Sequence, residues 1–145
     1  MKRFLVPGIL ICAVLGLGLL LIPDWPSQSG VTRQVTEDLP QLEELAGAIL
    51  EAGEVSPEMS YKDYDISCYP EKGMVEFLGP GWGLGSSTRY TGFYYSASGD
   101  PLGFQGSQPT FTRDGEGWRW EEPAGDNWEY TREITPNWYW FEMHF

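Results

Sequence analysis

From Tyr61 onward apolar side chains recur with a period of two, in short runs cut by turn signals. The 85 residues from Tyr61 to Phe145 hold 20 aromatic side chains. The clearest breaks are Pro70-Glu71-Lys72-Gly73, Ser98-Gly99-Asp100-Pro101, Asp114-Gly115-Glu116-Gly117 and Pro123-Ala124-Gly125-Asp126. Period two sends successive side chains to opposite faces of a strand. Such runs between such turns predict a curved antiparallel β-meander of five to seven strands. The aromatic content excludes a coiled coil, a collagen and a disordered tail.

Turn lengths predict the registers. A three-residue loop Pro123-Ala124-Gly125 sets Trp120 opposite Trp128 and Trp118 opposite Tyr130. It also sets Arg119 opposite Glu129, an independent charge match. A two-residue turn at Pro136-Asn137 pairs Ile134 with Tyr139, Tyr130 with Met143 and Trp128 with Phe145. Upstream, the turn at 70–73 groups Tyr64, Ile66, Cys68, Val75 and Phe77 on one face. Together these registers assign Tyr139, Phe141 and Met143 to the core and turn Trp138 and Trp140 outward. Exposed tryptophans are costly unless covered or used. Trp138 and Trp140 are therefore the candidate binding residues, suited to a protein pocket or a sugar ring.

A sheet with one apolar face needs a cover. Leu42, Leu45, Ala46 and Ile49 recur at helical spacing, with Glu43, Glu44 and Glu51 on the other side. Asp38 is the expected N-cap, Pro40 suits the first turn, Gln41 completes a capping box, and Gly53 is a natural stop. The expected architecture is α+β, with one amphipathic helix over 38–52 packed on the sheet.

The N-terminus sets a location. After Met1-Lys2-Arg3, Phe4 to Ile22 is a run of 19 residues without a charge. A helix of that length spans about 28 Å, close to the hydrocarbon thickness of a bilayer. No small-x-small cleavage site follows, so residues 1–22 read as a retained transmembrane anchor rather than a cleaved signal peptide. Lys2 and Arg3 place the N-terminus in the cytoplasm. Residues 23–35 read as a linker, and 36–145 as a domain outside the cytoplasmic membrane. Gly8, Cys12 and Gly16 form a small-residue stripe of the kind through which membrane helices dimerise.

Chemistry is sparse. The chain carries a formal charge of −12, which argues against a nucleic-acid partner. The Gly-rich stretch Gly79 to Ser87 lacks the following helix and the lysine of a phosphate cradle. Glu121 and Glu122 point to opposite faces of a strand and so cannot flank one glycosidic bond. His144, the only histidine, falls on the face away from the expected core. Asp63 and Asp65, or Asp114 and Glu116, lack the spacing of a calcium loop. Cys68 falls on the core face, with Asp65 and Glu71 nearby rather than the cations a reactive thiol needs. No catalytic residue, metal site or cofactor is expected.

The tract Gly125 to Glu133, with Asn137-Trp138-Tyr139-Trp140-Phe141-Glu142, resembles the tails of small uncharacterised envelope proteins of Gram-positive bacteria. The resemblance is a loose pattern of aromatics over the last 30–50 residues. It implies an envelope location and no activity. The expected role is a membrane-anchored, non-enzymatic protein-interaction or assembly module with an envelope protein as partner. The alternatives are a glycan or small-ligand domain using the outer aromatics and, behind it, an envelope hydrolase.

Overall fold

A computed structural model of the chain describes residues 27–84 and 87–145. The expected anchor and the stripe Gly8, Cys12 and Gly16 lie outside these residues. Among the described residues no helix is long and apolar enough to cross a membrane.

The fold is α+β, with two α-helices among the described residues rather than the one expected to cover the sheet. Helix α1 spans Gln28–Glu37, beginning within the stretch 23–35 read as a linker and running past its end. The Ser27 hydroxyl accepts the Gly30 N–H at its start, and Val31 and Val35, one turn apart, are buried. Two buried residues in ten are a thin signal among Ser, Gln, Gly and Thr, which is why this helix escapes a pattern search. Helix α2 spans Leu39–Ala52 and matches the expected limits. Gly53 ends it at φ 73°, its N–H donating to the Ile49 carbonyl at 2.8 Å, a left-handed turn that glycine adopts freely. The expected capping box does not form. The Asp38 carboxylate instead accepts the Tyr61 hydroxyl at 2.6 Å and pairs with Lys62 at 2.8 Å. These bonds tie the helix pair to the start of the sheet.

Among the described residues eight strands form one open antiparallel sheet: β1 Asp65–Tyr69, β2 Met74–Leu78, β3 Trp82–Leu84, β4 Ser87–Ser96, β5 Thr112–Asp114, β6 Gly117–Glu121, β7 Trp128–Thr135 and β8 Trp138–His144. Their order is β1-β2-β4-β8-β7-β6-β5, and β3 pairs with the start of β4 beyond the end of β2. The sheet is therefore not a simple meander. Two halves, each built from neighbouring strands, meet where β4 pairs with β8.

The upstream hairpin has the expected register, with Ile66 opposite Phe77 and Cys68 opposite Val75. The downstream registers differ by one residue. The loop after β6 has four residues, closed by the Glu122 N–H donating to the Asn127 carbonyl at 2.9 Å. Trp118 therefore faces Thr131, Trp120 faces Glu129, and Arg119 faces Tyr130 rather than Glu129. The Pro136-Asn137 turn does hold Thr135 opposite Trp138, with Asn137 at φ 72°. An irregularity between Glu133 and Thr135 then shifts the pairing, so that Glu133 faces Tyr139, Thr131 faces Phe141 and Glu129 faces Met143.

These shifts decide which side chains share a face, because a one-residue slip moves a strand's side chains across the sheet. Trp138 and Trp140 do not project outward: they are 0% and 5% exposed and lie beneath the helices with Leu42, Ile49, Phe77 and Phe93. The Phe77 and Phe93 rings stack at 4.6 Å. The opposite face is buried as well. Met74, Tyr94, Tyr139, Phe141 and Met143 form a second core with Leu102 and Phe104, which come from the connection between β4 and β5. At the centre Gly92 faces Phe141, and a Cβ there would strike the Phe141 ring and the Phe77 carbonyl.

Candidate functional site

The second face carries the chain's unusual chemistry. Its cover, residues 100–109, is a strap with no helix or strand beyond one 3-10 turn at Phe104–Gly106. A strap laid over a sheet brings backbone N–H groups that no ladder satisfies, and a buried N–H needs an acceptor. The sheet supplies three. The Leu102 N–H donates to the Tyr94 hydroxyl at 3.0 Å, the Phe104 N–H to Glu129 Oε1 at 2.8 Å, and the Gln105 N–H to Glu76 Oε2 at 2.9 Å.

Tyr94 continues inward. The Thr131 hydroxyl donates to the Trp140 carbonyl at 3.0 Å, so at 2.9 Å Tyr94 donates to Thr131 while accepting from Leu102. The phenol thus uses both of its hydrogen-bonding roles.

The two carboxyls are the least exposed charged side chains of the domain, at 1% for Glu76 and 2% for Glu129. Glu76 alternates with Val75 and Phe77 in β2, which turns it to the second face. Glu129 reaches the same face from β7, three positions across the strand order. Consecutive strap amides therefore bind carboxyls from the two halves of the sheet. Burial pushes Glu76 up to about 7 against the lowering by the Gln105 N–H. Burial likewise pushes Glu129 up to about 8. The Phe104 N–H opposes that shift and the nearby Glu76 charge adds to it. Removing a charge from water disfavours it unless a partner compensates.

Gln105 itself has φ 55° and ψ 36°, a left-handed conformation uncommon outside glycine. Gly106 follows at φ 72°, its Cα packed on the Tyr69 ring so closely that a Cβ would collide with it. The strap is thus held by acceptors on β2, β4 and β7 and by the Tyr69 ring of β1 against its turn.

Beside the strap opens a cleft of about 450 Å³, walled by Phe104, Pro109, Trp120, Met143 and Phe145, with Glu129 in its lining. Its volume falls in the range of small-molecule and side-chain sites. Phe145, 41% exposed, is the exposed large hydrophobic of the described residues and stands at this cleft. Glu129 Oε1 is held by Phe104, and its second oxygen has no hydrogen-bond partner among the described residues.

The other sequence candidates are placed elsewhere. Trp138 and Trp140 belong to the helix-side core and are distant in function from an exposed platform. His144 stacks on Trp128 at 3.9 Å and bonds Glu142 at 2.6 Å, with Arg89 on the same carboxylate at 2.8 Å. Cys68 is half-buried against α2, its Sγ 4.0 Å from the Ile49 carbonyl, and burial, aided by Glu71, pushes the thiol up. Within the Gly-rich stretch, Trp82–Leu84 form strand β3, which pairs antiparallel with the start of β4. Among the described residues no group of three or more His, Cys, Asp or Glu side chains is arranged to hold a metal ion. Glu76 and Glu129 are absent from any motif, and the signal for them lay in alternation: a glutamate between Val75 and Phe77, and one beside Trp128.

No protein-family model matches the chain, and no curated protein and no solved structure matches it either.

Proposed function

We propose that this chain is a non-enzymatic protein-interaction domain, tethered to the membrane by residues 1–22 and displayed outside the cytoplasm, and that its contact surface is the cleft beside the strap. The observation that carries this reading is Phe145, a large aromatic left exposed at the mouth of a cleft walled by Trp120, Met143 and Phe104. Aromatic anchors of this kind carry the binding energy of protein interfaces. The histidine and the described cysteine are engaged otherwise: His144 in its stack and ion pair, Cys68 against α2. A glycoside hydrolase needs two carboxyls facing one bond, and of the buried pair Glu129 alone lines the cleft.

The test is site-specific photo-crosslinking in cells, with the photoreactive residue placed at Phe145 or at Glu43. Glu43 is exposed on α2, on the far side of the sheet. A discrete adduct from Phe145 and none from Glu43 is the expected result. Equal labelling from both positions, or none from Phe145, would remove the cleft as the contact surface.

A further inference from the structure

We infer that the cleft beside the strap receives a lysine side chain of the partner protein, its ammonium on the free oxygen of Glu129 and its stem against Trp120, Met143 and Phe145. This inference rests on the interaction-domain reading above and adds to it the chemistry of the partner's anchor.

Four observations converge on that occupant. The first is charge. Glu129 is 2% exposed, and no ion pair joins it to a cation among the described residues. The charged or titratable groups that face it are Glu76 of β2 and Tyr94 of β4, and neither neutralises a carboxylate. Lys72 bonds the lining residue Gln108 at 3.1 Å, not Glu129. The second is the division of the carboxyl. Phe104 already occupies Oε1 at 2.8 Å, which leaves one oxygen. A guanidinium binds a carboxylate best through two parallel bonds, and here one of the two oxygens already accepts from Phe104. An ammonium is a compact point charge and needs only one. The third is the wall. Trp120, Met143 and Phe145 are apolar, which suits a four-carbon stem, and the aromatic faces attract a cation. The fourth is the balance of the whole chain, which at −12 favours basic partners over acidic ones.

Seating a cation on Glu129 favours its ionised form, so the carboxyl releases its proton as the lysine enters. The affinity therefore rises with pH while Glu129 is otherwise protonated, and levels off above about 8.

The experiment is a calorimetric titration of the full chain in detergent micelles with acetyl-Gly-Lys-Gly-amide, and with the peptides carrying norleucine or arginine in place of lysine. The lysine peptide should bind at least about tenfold more tightly than either, with affinity rising about tenfold from pH 6 to pH 7. Glu129→Gln should abolish the preference and the pH dependence, with a thermal melt confirming that the variant is folded. Equal affinity for the lysine and norleucine peptides would overturn the inference, and that comparison uses the wild-type chain, so it stands even where the variant unfolds. If lysine preference is absent while the Phe145 cross-link persists, the ligand chemistry falls and the interaction-domain reading stands. Loss of the cross-link as well removes both.

Discussion

The two faces of the sheet are buried by different means. Helices α1 and α2 satisfy their own backbone groups, so they ask of the sheet only an apolar surface. Phe77, Phe93, Trp138 and Trp140 provide it. The strap on the other face has no internal ladder, so its amides must be met from below. Tyr94, Glu76 and Glu129 meet them. The lesson is that the nature of a cover dictates the polarity of what it covers. A helix permits a greasy face, whereas an irregular segment requires acceptors, and acceptors buried this deeply carry protons with them.

The largest effect expected from breaking this contrast is on the helix side. Trp138→Ala should destabilise the domain by about 3–5 kcal/mol, the usual cost of removing a buried large aromatic. The loss should be the same at pH 5 and pH 8, because no raised carboxyl lies on that face. Denaturant melts at the two values check both points.

The strap side should respond to pH. Glu76 and Glu129 hold their protons in the folded state well above the ordinary carboxyl value, so the folded chain binds more protons than the unfolded one across that interval. Stability is then greatest below about 4.5 and declines as pH rises through about 7 and 8. The midpoint of thermal unfolding should fall by about 10 °C between pH 5 and pH 8. Replacing both residues with glutamine keeps an acceptor for each amide and should flatten that slope. A wild-type midpoint that rises over this interval would contradict the burial of the pair.

A smaller effect isolates the strap's backbone. Gly106→Ala places a Cβ against the Tyr69 ring at a left-handed φ, and should cost about 1–3 kcal/mol. Hydrogen exchange should show faster opening at Phe104 and Gln105 in this variant, with the amides of β8 little changed.

The sequence was most informative where one local signal decides the outcome. Gly53 and Pro40 mark the ends of α2, and the four residues Pro70 to Gly73 set the β1–β2 register without help from afar. It was least informative where a choice depends on a loop's length or on a distant cover. Pro123 to Asp126 forms a four-residue loop, and the step near Ile134 leaves no mark in composition, so the charge match of Arg119 with Glu129 was a coincidence. Arg119 instead bonds Glu121 at 2.7 Å and lies over the Trp128 ring. The run Trp138-Tyr139-Trp140-Phe141 is apolar on both faces, and an unbroken run of that kind marks a strand covered on both sides. Reading it as an alternation turned two core tryptophans into a candidate site. The strap, having no periodicity, gave no sign that a second cover existed, and the cleft beside it was hidden for the same reason.

The pairing of β4 with β8 also governs how the molecule forms. Its ladder joins residues roughly fifty positions apart, and closing a loop of that length is entropically slow. Until it closes, each half is a set of hairpins with a broad apolar side open to water and an unpaired edge, a state prone to join the wrong neighbour. Refolding should accordingly run on the millisecond-to-second scale of non-local β topologies rather than the microsecond scale of helical ones. A chaperone or a crowded surface would find its substrate in that interval, when Phe93 and Phe141 are still on separate pieces of chain.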